Sequence, residues 1–259
     1  MTASFPGSVK SFGAVRADGD YIPAADMNTV REEVVAVETE LRQGGWIADA
    51  LTWAYNGPDA NKIVIPGDVT GVMTKGTRLK WTQTTVKYGV VVSAAYAAPN
   101  TTVTIITNTD YTVTNAVISA NYYSYMDNPI GWPGHFNYAP TGFSASVTHV
   151  GRYCIIGSRC FVDYYAIVGS AAFAWTGMPT LPVPVGANYK SVSPTGTTSG
   201  VGSYQDAGVG SFPYVLAANL AANGTTFAFR STGGVTMSAT VPITWANGDF
   251  VEAHVNYEW

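Results

Sequence analysis

The sequence predicts a mainly β protein: a short N-terminal coiled-coil helix whose seam leans towards trimers, a small antiparallel, barrel-like β-domain and a C-terminal β-sandwich or jelly roll. Three observations predict it. A single helical stripe lies near the front of the chain. Period-two alternation bounded by Gly/Pro turns fills the rest. Charge is scarce, since only 12% of the 259 residues are Asp, Glu, Lys or Arg while 13% are aromatic. Disorder needs the opposite balance, so the chain has to fold.

The net charge of −4 and the absence of a Lys/Arg run argue against a nucleic-acid partner. A membrane-spanning segment needs about 18 consecutive apolar residues, and none is present, so no membrane insertion is expected. The stretch from Met1 to Val15 carries Pro6, Gly7 and Gly13 and lacks the apolar core of a signal peptide.

The helix is expected from Asp26 to Gln43, with Asp26 as N-cap and Gly44-Gly45 as the stop. Its apolar residues Met27, Val30, Val34, Val37 and Leu41 are spaced three, four, three, four. That is the narrow seam of a coiled coil, and valine at both seam positions leans towards trimers. Two heptads are marginal alone and hold only if something downstream keeps the chains together. A lone helix packed on its own β-domain is the alternative.

Beyond Trp46 the pattern alternates. Leu79 and Trp81 face one way, with Arg78, Lys80 and Thr82 the other. After a Thr84-Thr85 bend, Val86, Tyr88, Val90 and Val92 line one face opposite Lys87, Gly89 and Ser93. Strands also fit Lys62 to Ile65, Thr101 to Thr107 and Tyr111 to Ile118, separated by Pro66-Gly67-Asp68, Pro99-Asn100 and Asn108-Thr109-Asp110. The Pro/Gly-rich stretch from Asp127 to Gly134 reads as a semi-rigid neck, in which Trp132 and Phe136 wedge two domains together. In the last domain, Tyr153 to Ile156 and Cys160 to Val168 form a hairpin about Gly157-Ser158. The final strand points Val251, Ala253, Val255, Tyr257 and Trp259 inward. Loops are expected at Gly169 to Pro179 and Ser193 to Pro213. The organisation is therefore an N-terminal tail (1–25), a helix (26–45), a first β-domain (46–127), a neck (128–138) and a second β-domain (139–259).

This order, and two stretches in it, resemble phage and prophage tail-tip receptor-binding proteins. One stretch runs from Asp18-Gly19-Asp20-Tyr21-Ile22-Pro23 through Ala24-Ala25-Asp26-Met27-Asn28 into the helix. The other is Lys75-Gly76-Thr77-Arg78-Leu79-Lys80-Trp81 through Tyr88, followed by Asn100-Thr101-Thr102-Val103-Thr104 and Asp110-Tyr111-Thr112. The similarity covers about Lys10 to Phe136; over the last domain it is one of architecture alone. The resemblance implies a homotrimer at the virion tail tip, attachment to other tail or baseplate proteins through the N-terminus, and a bacterial cell-surface glycan as ligand.

The chemistry-bearing residues point to binding more than to catalysis. His135, His149 and His254 share no ligand-like spacing with Cys154 or Cys160, so no metal and no cofactor is expected. A two-residue hairpin loop sends the two thiols to opposite faces and keeps them free, whereas a three-residue loop brings them opposite each other. The last domain's carboxylates, Asp163, Asp206, Asp249, Glu252 and Glu258, do not read as a hydrolase pair, and no Gly-x-Ser-x-Gly elbow occurs. A non-enzymatic protein is expected. Phe173, Trp175, Tyr204, Phe212 and Tyr214, near Asn188, Gln205 and Asp206, suit a sugar, whose C–H face rests on rings and whose hydroxyls take Asp or Asn. Trp175, Tyr204 and Asp206 are the chosen ligand residues, against the alternative that each ring is core or interface packing. A structural baseplate or tail-fibre component, and a surface-polysaccharide hydrolase, are the competing functions.

Overall fold

A computed structural model describes residues 24–144, 146–169, 171–187, 198–209, 214–231 and 235–259. The proposed N-terminal tail up to residue 23 lies outside them, as do Asn188 and Phe212. The described residues are mainly β, with two seven-stranded antiparallel sheets, a two-stranded ribbon and one helix among them.

Helix α1 spans Ala24–Gln43. It begins two residues before the expected N-cap, because Ala24 and Ala25 are the strongest helix formers and extend the first turn past Asp26. It ends where Gly44 and Gly45 take φ of +64° and +86°, values that a side chain tolerates poorly. The Gly44 carbonyl accepts from the Ile130 amide at 2.9 Å, and the Trp46 indole donates to the Ile130 carbonyl at 2.9 Å. The helix is thus tied at its C-terminal end to the neck.

The first sheet holds β1 (Ile47–Ala48), β2 (Ala54–Tyr55), β3 (Lys62–Pro66), β4 (Arg78–Gln83), β5 (Thr85–Ala97), β6 (Asn100–Thr107) and β7 (Ser119–Ser124), in the order β1-β7-β4-β5-β6-β3-β2. Both of its faces are covered. Leu79, Trp81 and Val91 join Trp53, Ile63, Ile65, Val103 and Ile105 in the sheet's own core. Tyr88, Val90, Val92 and Ile106 on the other face pack into the second core. The alternation read from sequence holds, but the apolar stripe of β5 is the seam between the sheets. The polar-looking stripe is the core side. Lys87 is consequently only 7% exposed, next to Trp81, while Val86 at the strand end is 47% exposed.

The expected strand from Tyr111 to Ile118 is instead irregular. Its carbonyls are taken by side chains: Lys87 Nζ donates to Thr112 at 2.6 Å, and the Gln83 amide donates to Thr114 and Ala116 at 2.9 and 3.0 Å. With its acceptors spent on side chains, the segment has no ladder to join.

The second sheet contains β8 (Phe136–Tyr138), β10 (Val147–Ile156), β11 (Arg159–Val168), β13 (Thr198–Gln205), β14 (Tyr214–Asn219), β15 (Ala228–Ser231) and β16 (Phe250–Glu258), in the order β15-β14-β13-β16-β11-β10-β8. β9 (Phe143–Ser144) and β12 (Trp175–Gly177) form a separate ribbon. Two full sheets facing each other, as a sandwich requires, are not what covers the inner face. That face is closed by Phe143 and by extended segments carrying Leu181, Val183, Val185, Leu220, Met237 and Trp245, which gives a half-barrel. These segments satisfy their backbone one bond at a time, as with Leu181 to Thr225 and Val185 to Gly224 at 2.8 and 2.9 Å.

The inner residues of β16 are all buried, as the alternation requires. β10 and β11 pair through Ile156↔Arg159, a two-residue loop with Gly157 at φ +56°, so Cys154 stands opposite Phe161 and both cysteines are free. Burial pushes the Cys160 thiol up to about 12. The protonated form is the neutral one, so its stabilising share is complete below the unfolded thiol value of about 8.5 and is lost as pH climbs towards 12. Between pH 8.5 and 10 the wild-type melting temperature is expected to fall more steeply than that of Cys160→Ala, a difference read by scanning calorimetry.

The neck is shorter than expected, because residues 136–138 pair with β10 as β8. Trp132 and Phe136 do wedge the seam. Trp46, Tyr88, Trp132, Phe136 and Tyr153 form a chain of ring contacts with centroids 5.2 to 6.1 Å apart. Arg78, expected on an outward face, is 1% exposed here, its guanidinium 5.3 Å from the Trp132 ring centre. It donates to the carbonyls of Gly76, Asp127 and Ile155 and to the Asp127 carboxylate at 2.7 to 3.1 Å. One guanidinium therefore fastens both sheets and the chain leaving β7.

Candidate functional site

Two regions carry the residues marked by sequence. The first is the seam stripe of α1. Met27, Val30, Val34 and Val37 are 55%, 45%, 50% and 38% exposed, so these side chains are not folded back on either sheet. Val30, Val34 and Val37 with Glu33 and Glu38 line a shallow apolar groove. Leu41 lies in the helix, but its side chain is outside the described residues.

The second region is the end of the second sheet where β9, β12, β13 and the turn before β16 meet. Trp175 and Tyr204 are brought into one aromatic cluster, although neither sits on the open loop expected for it. Trp175 belongs to β12, half-buried, with its ring edge-on to Phe143 at 5.6 Å. Tyr204 belongs to β13, in the middle of the sheet, and is 7% exposed. The residue joining them is Trp245. It contacts Phe143 at 5.1 Å and Tyr204 at 6.3 Å and stacks on Phe173 at 5.8 Å with 26° between planes. Sequence reasoning missed Trp245, which precedes an Asn-Gly turn and lies on no periodic stripe. Asp206 follows β13 and turns back on its own loop, its Oδ1 accepting from the Gly208 amide at 2.9 Å.

Asp249 organises this end. It is fully buried, and its two oxygens accept from the Ala207 amide at 2.8 Å and the Ala246 amide at 2.6 Å. It thereby clamps the loop after β13 to the turn that carries Trp245. The rigid part of the cluster is Phe143, Tyr204 and Trp245; the ring edges left accessible are those of Trp175 and Phe173, both half-buried. Such an arrangement offers a preformed apolar platform.

Three further ionisable pairs of the second sheet stand apart from this cluster. On the outer face of the sheet, Asp163 Oδ1 lies 2.8 Å from His254 Nδ1, both side chains more than half exposed, and Glu252 accepts from the Ser203 hydroxyl at 2.8 Å. His149 Nδ1 is 3.0 Å from the Tyr164 hydroxyl, and burial lowers its pKa. Among the described residues no group of three or more His, Cys, Asp or Glu is placed to hold a metal ion. Comparison of the chain with protein-family models, curated proteins and solved structures gives no match.

Proposed function

We propose that the chain is a receptor-binding protein of a phage or prophage tail tip: a homotrimeric, non-enzymatic adhesin for a bacterial cell-surface saccharide. It joins other tail or baseplate proteins through its N-terminal tail and uses no cofactor or metal. The observation that carries this reading is the helix. A coiled-coil seam that leaves Val30, Val34 and Val37 exposed and is fastened to the rest of the chain at one end is suited to pairing with copies of itself. Three copies of a weakly charged second half then form one tip, where weak sugar sites gain through effective concentration. In this reading Trp175 and Asp206 form the accessible rim of the ligand site and Tyr204 supports it from below.

The test is binding to arrayed bacterial glycans together with competition for phage adsorption by the purified chain. The adhesin reading expects a positive spot and blocked adsorption, and a drop of about tenfold in glycan affinity for Trp175→Ala. Silence in both assays refutes it. The burial of Tyr204 and the packing of Trp175 on Phe143 favour a second reading, a structural tail component whose rings serve only the core. That reading expects Trp175→Ala to lower stability and to leave every binding assay unchanged.

A further inference from the structure

A cleft of about 330 Å³ opens at the seam between the two sheets, remote in sequence from the aromatic end just described. Three separate segments wall it. Thr74, Lys75 and Thr77 come from the turn before β4, Tyr125 and Asp127 from the chain leaving β7, and Gly157 from the hairpin tip of the second sheet. All three walls are held by the buried Arg78, which bonds Gly76 on the first, Asp127 on the second and Ile155 beside the third. The Asp127 carboxylate also accepts from the Gly157 amide at 3.0 Å through the oxygen that meets Arg78. Its other oxygen has no partner, and the side chain is 52% exposed. The cleft is therefore preformed, which spares a ligand the cost of ordering it.

The lining has a definite chemical character. Tyr125 is 59% exposed and rests edge-on against Tyr123 at 5.6 Å, which holds its ring as a platform. Thr74 is exposed and presents a hydroxyl, which lies 3.2 Å from that of the buried Thr77. Lys75 is steadied over the Trp259 ring at 4.4 Å and spends one of its three donors on the Trp259 carbonyl oxygen. One carboxylate and one ammonium cancel, so the site does not select a charged ligand. What remains is a ring face, one hydroxyl, a carboxylate acceptor and an ammonium donor around a space at the small end of ligand pockets. That combination suits a neutral ligand with an apolar C–H face and a rim of hydroxyls.

We infer that this seam cleft is a saccharide-binding site for one or two neutral sugar rings, with Tyr125 as the stacking platform and Asp127 and Lys75 on the hydroxyls. The proposal rests on the adhesin reading and adds a second locus to it. Occupancy of the cleft bridges the two sheets, so a bound sugar also stiffens the joint between them.

The test is saturation-transfer NMR on the full chain carrying Trp175→Ala, which removes the aromatic-end site, with methyl glycosides of glucose, galactose, N-acetylglucosamine and rhamnose, followed by the same experiment with Tyr125→Ala and with His254→Gln added, the latter as a control outside the cleft lining. The cleft requires that at least one glycoside receives saturation, that Tyr125→Ala weakens it by about tenfold, and that His254→Gln leaves it unchanged. No transfer to any of the four, or equal transfer to Tyr125→Ala, overturns the cleft. Glycan-array binding separates the two claims. Array binding by Trp175→Ala that is absent, or that a further Tyr125→Ala leaves unchanged, refutes the cleft and leaves the adhesin standing, whereas a silent array with the wild-type chain refutes the adhesin itself. Tyr125 is exposed, so its truncation is expected to leave the melting temperature within about 2 °C of wild type.

Discussion

Replacing Arg78 with Met is expected to lower stability by about 3 kcal/mol and the melting temperature by roughly 10 °C. The side chain is 1% exposed and makes four hydrogen bonds, three of them to main-chain carbonyls. Methionine fills most of the volume but leaves those carbonyls without donors, and the bond to the Ile155 carbonyl is fully buried. The Asp127 carboxylate is half exposed and regains hydration, so the loss falls mainly on Gly76, Asp127 and Ile155 backbone oxygens. Lysine is not expected to rescue, since a single ammonium lacks the planar fork that reaches four acceptors at once. Burial lowers the Arg78 pKa, and the Asp127 charge acts against that shift. Calorimetry of Arg78→Met and Arg78→Lys checks this. Uncoupled melting of the two halves, as two transitions in place of one, is the expected signature; an unchanged single transition contradicts the clamp.

Gly202→Ala is expected to be at least as damaging, at about 4 kcal/mol. β13 lies against β16 so closely that a Cβ on Gly202 meets the Glu252 carbonyl oxygen at 2.3 Å, and one on Gly200 meets that of His254 at 2.1 Å. These are backbone atoms of a strand paired on both sides, with β11 and with β13, so it has nowhere to retreat. Gly71→Ala supplies the contrast, because nothing lies within 4 Å of its added Cβ. Urea denaturation of the two variants is expected to show a large loss for Gly202→Ala and a change within about 0.5 kcal/mol for Gly71→Ala. Comparable midpoints contradict the close approach of the two strands.

The same glycines explain what the sequence concealed. Gly200, Gly202 and the surrounding Ser and Thr residues carry the composition of a loop, so the stretch holding β13 reads as one, and Tyr204 with it. Only the partner strand reveals why glycine stands there. The opposite case is β16, where strict alternation from Val251 to Trp259 makes strand, face and burial legible at once. The hairpin at Gly157-Ser158 is legible in its turn glycine, but its loop length is not, and the register of both cysteines comes from the observed Ile156↔Arg159 pair. In the first sheet alternation located the faces of β4 and β5 but did not tell core from seam, since both are covered. A buried lysine and a buried arginine were the result. Of the candidate site, Trp175 and Tyr204 were reachable as aromatics of one region. Trp245 and Asp249, which hold that region together, sit in a turn and are joined to it only by tertiary contacts.

The account turns on the exposed stripe of α1 finding the same stripe on other copies. Multi-angle light scattering of the purified full chain, with Val30→Glu/Val34→Glu alongside, measures this directly. Assembly predicts a mass about three times the 27.4 kDa of one chain for the wild type and a return towards one chain for the double variant, whose like charges face each other across the seam. A wild-type mass of 27.4 kDa across the working concentration range contradicts it.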